Sequence, residues 1–358
     1  MIVPQRSHRE IEVLGIGCRL PGAIDGPKAL WHFLSDRQVA SEEVPKSRWN
    51  IDKLYGGQFP RRGKICTRRA SMLEDVGEFD AEFFGIPEEE ATETDPQHRL
   101  LLEVAWEAVE DACIPLHVLQ KNPTGVFVGI STFDYSVMLS DVGMLRGYSL
   151  VGTKHYMAAN RISYAFGLSG LSLAIDTACA SSLAAMMLAC QSISDGECDY
   201  AIVGCANLML LPQSFVSFSQ LGTLSPDGRS RPFDKAADGY GRGEGIVAMI
   251  IGARRPQVAR GARPYAVIRG WGANHGGHNK QGWAAPNVHA QCDLLRRTYE
   301  RANVSSRALG YLEAHGTGTT VGDHAETAAI GAFLALGEKR REPLLIGSVK
   351  GKVQPFPV

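Results

Sequence analysis

A cysteine flanked by small residues stands where an alternating strand pattern passes into a helical one. The stretch from 176 to 182 reads D-T-A-C-A-S-S, with Cys179 at its centre. The unpaired N–H groups at a helix start carry partial positive charge, which favours a thiolate over a thiol. Cys179 is therefore a candidate covalent nucleophile. For this segment alone, the alternative is a structural cysteine buried at a strand end.

Two further groups follow other expected strands. His315 stands in E-A-H-G-T-G-T, and Lys350 ends the stretch G-S-V-K. Ligand sites of α/β proteins lie at the carboxyl ends of strands, so both side chains could share one crevice with Cys179. Taken singly, a structural histidine and a solvated lysine are the alternatives.

Two other motifs could suggest a cofactor or a metal ion. The string G-Y-G-R-G-E-G at 239–245 has its strand after it, whereas a nucleotide-binding loop follows its strand. We therefore predict a turn near the site and no bound cofactor. His275 and His278 could form a metal pair, but the sequence indicates no third ligand, so no metal is predicted.

The elements that must position these groups alternate between strands and helices. Strands are expected at 11–17, 125–130, 171–176, 200–203, 245–251, 266–270, 309–314 and 344–349. Helices are expected at 29–34, 95–112, 181–194, 291–302 and 325–336. This order predicts an α/β fold with a mostly parallel sheet in each half. The polar segment 38–69 is expected to be a surface excursion, and 254–263 a linker.

Length and composition narrow the function classes. The chain has 358 residues, which exceeds the ~250–300 residues of a typical single core, so two halves are expected. A net charge of −1 gives no electrostatic basis for binding nucleic acid. No apolar run is long enough for a membrane span, and the polar start lacks a signal-peptide core. Eight cysteines without a C-x-x-C motif predict a reduced, cytoplasmic protein.

Ordered motifs along nearly the whole chain carry a family resemblance. They are G-I-G-C-R-L-P-G at 15–22, F-D-A-E-F-F-G-I at 79–86, D-P-Q-H-R-L-L-L-E at 95–103, A-A-N-R-I-S-Y at 158–164, D-T-A-C-A-S-S-L at 176–183, R-P-F-D at 231–234, G-Y-G-R-G-E-G at 239–245, H-G-T-G-T at 315–319 and G-S-V-K at 347–350. With these motifs the chain resembles β-ketoacyl synthases of the thiolase superfamily. It is most similar to the ketosynthase domains of type I polyketide synthases and animal-type fatty acid synthases.

The resemblance implies a thiolase-like fold of two similar α/β halves, layered α-β-α-β-α. We expect an N-terminal half at 1-253 and a C-terminal half at 264-358. By the same resemblance, Cys179 accepts the acyl group, His315 is one of two catalytic histidines, and Lys350 is the lysine of the active-site network.

The implied reaction is acyl transfer from a carrier-protein thioester to the cysteine, followed by decarboxylative condensation with a malonyl-type thioester. The substrates would be carried on the phosphopantetheine of an acyl carrier protein, with no cofactor held by the domain itself. A homodimer paired through strand 171–176 is also implied.

The sequence departs from the family pattern after Lys350. The family continues into N-I-G-H, which holds the second catalytic histidine, and then into a glycine-phenylalanine-glycine loop that supplies an oxyanion N–H. Here residues 351–358 read G-K-V-Q-P-F-P-V. We therefore expect the second half to be incomplete, truncated after Lys350, and condensation to be weaker than acyl transfer. Smaller departures are Ala180 in place of the usual Ser and His98 in place of the usual Gln.

Two alternative functions remain open at this point. One is a noncatalytic fragment or splice product of a polyketide synthase, acting only as a structural or dimerisation piece. The other is a papain-like Cys/His hydrolase, which the ketosynthase motifs disfavour.

Overall fold

The computed structural model describes residues 10–58, 61–254, 263–278, 282, 285–337 and 340–353. Most of the expected linker and the segment 354–358 therefore lie outside the described residues. Strands alternate with helices along the chain, which confirms the α/β class expected from the hydrophobic patterns.

In the described residues, ten strands form one large and two small sheets. The strands are β1 (Ile11–Arg19), β2 (Glu42–Glu43), β3 (Arg69–Ala70), β4 (Thr124–Ile130), β5 (Ser172–Ile175), β6 (Tyr200–Asn207), β7 (Gly245–Ala253), β8 (Ala266–Ile268), β9 (Tyr311–Glu313) and β10 (Leu345–Gly347). The large sheet has six strands in the order β5-β4-β6-β7-β1-β8. The pairs β9–β10 and β2–β3 form the two-stranded sheets.

The expectation of a mostly parallel large sheet is wrong. Strand β4 runs parallel to β5 and β6, whereas the β6–β7, β7–β1 and β1–β8 pairs are antiparallel. The alternation of helices and strands breaks after β6. There the chain returns from Asn207 to Gly245 through one short helix and a long loop instead of a helical crossover. Periodicity does not record strand direction, so the sequence pattern could not show this.

Across the ranges that the structure describes, twelve α-helices accompany the strands. They are α1 (Pro27–Ser35), α2 (Ile51–Leu54), α3 (Glu88–Glu93), α4 (Pro96–Asp111), α5 (Leu116–Lys121), α6 (Asp134–Met138), α7 (Ser149–Thr153), α8 (Tyr156–Phe166), α9 (Ser181–Asp195), α10 (Gln213–Gln220), α11 (Val288–Ala302) and α12 (Thr320–Ala335). None of the helices in the described part of the chain has both the length and the apolar character to cross a membrane.

The large sheet is packed between helices on its two faces. Helices α4 and α8 cover one face, where Leu101, Val104 and Ile162 are fully buried. Helix α9 covers the other face through Ala185 and Ile193. Successive strand residues point to opposite faces, so both faces of the central strands are apolar. This packing fixes the strand ends that carry the site.

The segment 38–69 is not a simple surface excursion, contrary to expectation. Its Trp49, Ile51 and Ile65 are buried in a separate apolar cluster that also contains Phe215 of α10. The Trp49 and Phe215 rings meet edge to face, with centroids 5.4 Å apart. The apolar residues that form this cluster are spaced irregularly, so no periodic pattern shows them in the sequence.

The second half contributes less sheet than the first. Strand β8 pairs with β1 and so extends the first sheet, while β9 and β10 form a separate parallel pair. Helices α11 and α12 pack against each other. Three apolar side chains of this half are each at least 65% exposed: Leu345 of β10, Val321 of α12, and Leu336, which directly follows α12. These apolar side chains of the second half are therefore exposed in the structure.

Candidate active site

A tight, strained turn carries Cys179 between β5 and α9. Cys179 is the middle residue of a 3-10 turn at Ala178–Ala180, directly before α9 begins at Ser181. Ala178 has a φ of 53°, which is costly for a residue with a β-carbon. The Ser181 hydroxyl accepts from Thr177 N–H at 2.9 Å and donates to Ala178 C=O at 2.7 Å. These bonds hold the strained turn in place.

The start of α9 sits unusually close to the sheet. A β-carbon on Gly129 of β4 would lie 2.7 Å from Ser181 C and from Ser182 N, so only glycine allows this approach. No side chain caps the helix, because Ala180 occupies its N-cap position. The helix start therefore directs its partial positive charge toward the Cys179 turn, and the Cys179 residue is exposed to incoming molecules.

His315 lies in the loop between β9 and α12, and two carboxylates of α12 organise that loop. Glu326 accepts from His315 N–H at 2.7 Å and from Gly316 N–H at 2.8 Å. Asp323 accepts from Gly318 N–H at 3.1 Å and from Phe233 N–H at 2.7 Å. These bonds fix the loop backbone from which the His315 side chain extends.

Parallel pairing of β9 and β10 brings His315 and Lys350 together. The register places Gly347 opposite Glu313, so the residues after both strands emerge at the same sheet edge. Lys350 lies in a 3-10 turn at Val349–Gly351. Glu313 accepts from Val349 N–H at 2.6 Å and thereby anchors this turn.

Electrostatic interactions connect all three residues singled out from the sequence. Burial lowers the pKa of Lys350, while the charges of Glu313, Glu326 and Cys179 oppose that shift. Desolvation lowers the pKa of His315, and the positive charge of Lys350 lowers it further. The His315 residue keeps solvent access, yet neighbouring protein atoms desolvate its ring. The structure thus places the nucleophile candidate, the lysine and the histidine in one electrostatic environment.

The glycine string at 239–245 packs against the His315 loop. Gly239 N–H donates to Gly318 C=O at 3.0 Å, and a β-carbon on Gly318 would lie 2.6 Å from Arg231 N. Burial raises the pKa of Tyr240, with a smaller contribution in the same direction from Cys179. The string therefore lies near the site, as predicted, but the predicted turn is wrong. The string is extended, with isolated β-bridges from Tyr240 to Leu224 and from Gly243 to Ser71, because it leads directly into β7 at Gly245.

The histidine pair at 275 and 278 has no metal-site geometry. His275 Nδ1 accepts from Gly277 N–H at 2.9 Å, which directs that ring atom to its own loop. Across the described ranges, no three His, Cys, Asp or Glu side chains cluster closely enough to hold a metal ion.

Sequence reasoning missed the residues that hold the site together. Ser181, Asp323 and Glu326 make the bonds that fix the two loops. One signal was available, since acidic side chains in the first turns of a helix accept from N–H groups of the preceding loop. Glu326 follows His315 by eleven positions and lies in the second turn of α12.

A cysteine at a helix start, with a histidine and a lysine on neighbouring strand ends of an α/β fold, is the arrangement that the family resemblance implies for a condensing enzyme of the thiolase-like class. Comparison with family models agrees with this class. The model "Beta-ketoacyl synthase, N-terminal domain" matches residues 8–255, and "Beta-ketoacyl synthase, C-terminal domain" matches residues 265–353. The chain belongs to the β-ketoacyl synthase family.

Curated relatives are polyketide synthases. The chain is 45% identical over 343 residues to a phenolphthiocerol/phthiocerol polyketide synthase of Mycobacterium tuberculosis, covering 95% of this chain and 18% of that protein. It is 42% identical over 349 residues to the partially reducing polyketide synthase tpeA of Talaromyces stipitatus, covering 96% and 14%. The chain therefore spans less than a fifth of the length of these relatives.

Solved ketosynthase domains share the fold. An oxazolomycin ketosynthase domain from Streptomyces albus superposes with a TM-score of 0.92 at 36% identity, covering 97% of this chain and 60% of that domain. The ketosynthase from module 6 of the bacillaene synthase of Bacillus subtilis gives a TM-score of 0.87 at 35% identity, covering 96% and 57%. These matches confirm the thiolase-like ketosynthase fold expected from the motifs.

Proposed function

We propose that this chain acts as the ketosynthase of a polyketide synthase, with Cys179 as the acyl acceptor and His315 and Lys350 as the groups that serve the condensation. The observation that carries the proposal is the strained turn that holds Cys179 at the uncapped start of α9. The charge of Cys179 acts on Lys350, and that of Lys350 acts on His315, which supports one shared site.

The first step is acyl transfer. The Cys179 thiolate attacks the carbonyl carbon of an acyl thioester, and the carbonyl oxygen becomes an oxyanion that backbone N–H groups at the turn stabilise. The tetrahedral intermediate then collapses, the acyl group stays on the Cys179 sulfur, and the carrier thiolate leaves and takes up a proton. The positive N-terminal end of α9 stabilises the negative charge of the Cys179 thiolate before the attack.

The second step is condensation. A malonyl-type thioester loses carbon dioxide, and its electron pair becomes an enolate on the thioester oxygen. The lowered pKa of His315 keeps its ring neutral near pH 7, so the ring can donate a hydrogen bond to that oxygen without protonating it. The enolate carbon attacks the acyl-cysteine carbonyl, which forms the β-ketoacyl carrier and frees the Cys179 thiolate. Lys350 supplies positive charge beside His315.

The substrates in this proposal are thioesters on the phosphopantetheine of an acyl carrier protein, and the chain brings no cofactor of its own. The proposed halves, 1-253 and 264-358, are supported by the separate N-terminal and C-terminal family models. The proposal also includes a homodimer. It places the protein in the cytoplasm, because a nucleophilic thiol must stay reduced. A purely structural role is not favoured, because matches to both ketosynthase models accompany the assembled site.

The test offers the purified chain an acyl-thioester carrier and a malonyl-thioester carrier. Mass spectrometry follows the acyl-enzyme, and a product assay follows the β-ketoacyl carrier. We expect acyl-enzyme in the wild type and none in Cys179→Ala. His315→Ala should keep acyl transfer within several-fold and reduce condensation by about 10²–10³, the usual cost of one preorganised donor. Equal acylation of the wild type and Cys179→Ala would refute the proposal.

A further inference from the structure

Strand β9 carries a tyrosine and a glutamate on one face. Residues two apart in a strand point the same way, so Tyr311 and Glu313 lie side by side. The Tyr311 hydroxyl donates to Glu313 Oε2 at 2.6 Å, and this bond raises the pKa of Tyr311. The hydroxyl therefore stays protonated near pH 7 and holds one carboxylate oxygen in place.

The other carboxylate oxygen reaches the turn that carries Lys350. Glu313 Oε1 accepts from Val349 N–H at 2.6 Å, and Val349 directly precedes Lys350 in the 3-10 turn. The strand pairing supports this contact, because Gly347 lies opposite Glu313 and its C=O accepts from Ala314 N–H at 2.8 Å. The carboxylate thus joins the end of β9 to the turn after β10 through a charge-assisted bond.

A glycine leaves the space that this arrangement needs. A β-carbon on Gly347 would collide with the Tyr311 hydroxyl and lie 3.3 Å from the ring carbons Cε2 and Cζ. The φ of Gly347 is not positive, so its backbone conformation does not require a glycine. The room for the tyrosine side chain is therefore what favours glycine at the first position of G-S-V-K.

The Lys350 turn also packs against the His315 loop. A β-carbon on Gly316 would lie 2.6 Å from Ser348 Cβ, and Ser348 Oγ donates to His315 C=O at 3.4 Å. The turn and the loop are therefore in contact. A shift of the turn would change the separation of Lys350 and His315, the two groups proposed for the condensation.

We infer that Glu313 is a positioning residue for Lys350, and that Tyr311 and Gly347 serve to orient its carboxylate. The inference rests on the proposed function in taking Lys350 as a group that serves the condensation. The turn that carries Cys179 lies on other elements, between β5 and α9. Loss of the Tyr311–Glu313 pair should therefore affect condensation and spare acyl transfer.

Hydrogen exchange of the full chain first measures whether the carboxylate holds the turn. In Glu313→Ala the amide of Val349 should exchange about tenfold faster than in the wild type, the equivalent of one bond to a charged group. Glu313→Gln should keep most of the protection, because its amide oxygen can still accept from Val349 N–H. Tyr311→Phe and Gly347→Ala should each give a smaller increase, since both take the hydroxyl away from Glu313.

The kinetic test follows acyl-Cys179 by intact-protein mass spectrometry. Glu313→Ala should keep acylation within about twofold and slow discharge by a malonyl-thioester carrier by about 10- to 100-fold, the range for a catalytic group displaced by ~1 Å. Glu313→Gln should discharge near the wild-type rate. Adding Glu313→Ala to Lys350→Met should cause no further loss, because a residue that acts only through Lys350 has nothing left to position. Glu300→Ala, which removes an exposed carboxylate of α11 bonded to Arg296, is the matched control.

Faster Val349 exchange together with slower discharge in Glu313→Ala, and rescue of both in Glu313→Gln, supports the inference. Unchanged exchange or unchanged discharge in a folded Glu313→Ala overturns it, and so does an additive loss in the double variant. If Glu313→Ala does not fold, Tyr311→Phe and Gly347→Ala decide by the same two measurements. A wild type that is acylated but not discharged would instead refute the proposed condensation, and Val349 exchange would then decide whether Glu313 places the Lys350 turn.

Discussion

At the scale of single residues, the eight cysteines of this chain differ in their surroundings. Burial raises the pKa of Cys190 to about 12 and that of Cys205 to about 12, so both thiols stay protonated near neutral pH. Cys113 and Cys179 are exposed, but only Cys179 stands at the start of a long helix. Exposure alone therefore does not set Cys179 apart, whereas the helix start does.

Limiting iodoacetamide near pH 7 should modify Cys179 first. The helix start favours its thiolate, while Cys113 is an exposed reference without that field. Peptide mapping by mass spectrometry would measure the order, with Cys190 and Cys205 as buried controls. Labelling of Cys179 at or below the level of Cys190 or Cys205 would show that the turn does not activate it.

His98 should make the stability of the protein depend on pH. Burial lowers the pKa of His98 to about 3, with further lowering by Arg161 and His155, and both ring nitrogens lack hydrogen-bond partners. The unfolded chain, with a pKa near ~6.5, binds the proton more readily. The free energy of unfolding should therefore fall as pH drops from ~6.5 toward 3, by at most ~1.4 kcal/mol per pH unit.

His98→Gln, which restores the usual family residue, is the matched variant. Chemical denaturation at pH 7.5 and at pH 5 should show a smaller loss of stability in the variant than in the wild type. Burial also raises the pKa of Asp95 to about 6, but this group is present in both proteins and its effect cancels in the comparison. Equal losses in the two proteins would contradict the buried, neutral state of His98.

The sequence indicated candidates for the reacting residues but not the side chains that hold them in place. Cys179, His315 and Lys350 stand in motifs whose strand-end context points to chemistry. Asp323 and Glu326 act through bonds to backbone N–H groups, which depend on loop conformation and leave no spacing rule. Their place in the first turns of a helix was the one sequence signal for this role, and the particular N–H groups that they bind follow only from the loop conformation.

At the scale of elements, the contact between β4 and the start of α9 positions the turn that carries Cys179, the proposed nucleophile. Gly129→Ala should displace the helix start, because its β-carbon would come within 2.7 Å of the Ser181 backbone. We expect a loss of ~1–3 kcal/mol in the free energy of unfolding, as for other overpacked sites, and slower alkylation of Cys179. Denaturation and alkylation rates would measure the two effects.

Gly331→Ala on α12 is the matched control, since its β-carbon would meet nothing within 4 Å. It should stabilise the protein by up to ~1 kcal/mol through helix propensity and leave Cys179 unchanged. If Gly129→Ala behaves like this control, the close approach of the helix does not matter for the site.

Helices and strands with a strong hydrophobic periodicity were predictable from the sequence. The way in which they are arranged in sheets was predictable only in part. Helices α4 and α9 and strands β4 and β7 lie within two residues of their expected bounds. The strand directions in the large sheet and the sheet to which β8 belongs were not predictable, because both depend on long-range pairing. The thiolase-like fold itself followed from the ordered motifs, not from periodicity.

At the scale of the whole molecule, β5 lies at the edge of the large sheet with apolar side chains around it. Leu173 of β5 is 40% exposed, and nearby Tyr164 and Leu183 are 91% and 74% exposed. An apolar edge strand left open is an aggregation hazard. Pairing with the same strand of a second copy would cover it, as the family resemblance implies.

We expect a homodimer in sedimentation at micromolar concentration. Leu173→Glu should shift the protein toward monomer, because each of the two paired β5 strands would then carry a negative charge at the dimer contact. Leu336→Glu, which alters an exposed apolar residue away from that edge, is the control and should leave the dimer intact. A monomeric wild type, or equal dissociation in both variants, would contradict pairing through β5.

The central claim, that Cys179 is the acyl acceptor, is tested most directly by intact-protein mass spectrometry after incubation with an acyl-thioester carrier alone. The account predicts a mass increase of one acyl group, located by peptide mapping on Cys179 and absent in Cys179→Ala. Acyl groups found on other residues, or none on Cys179, would contradict the account.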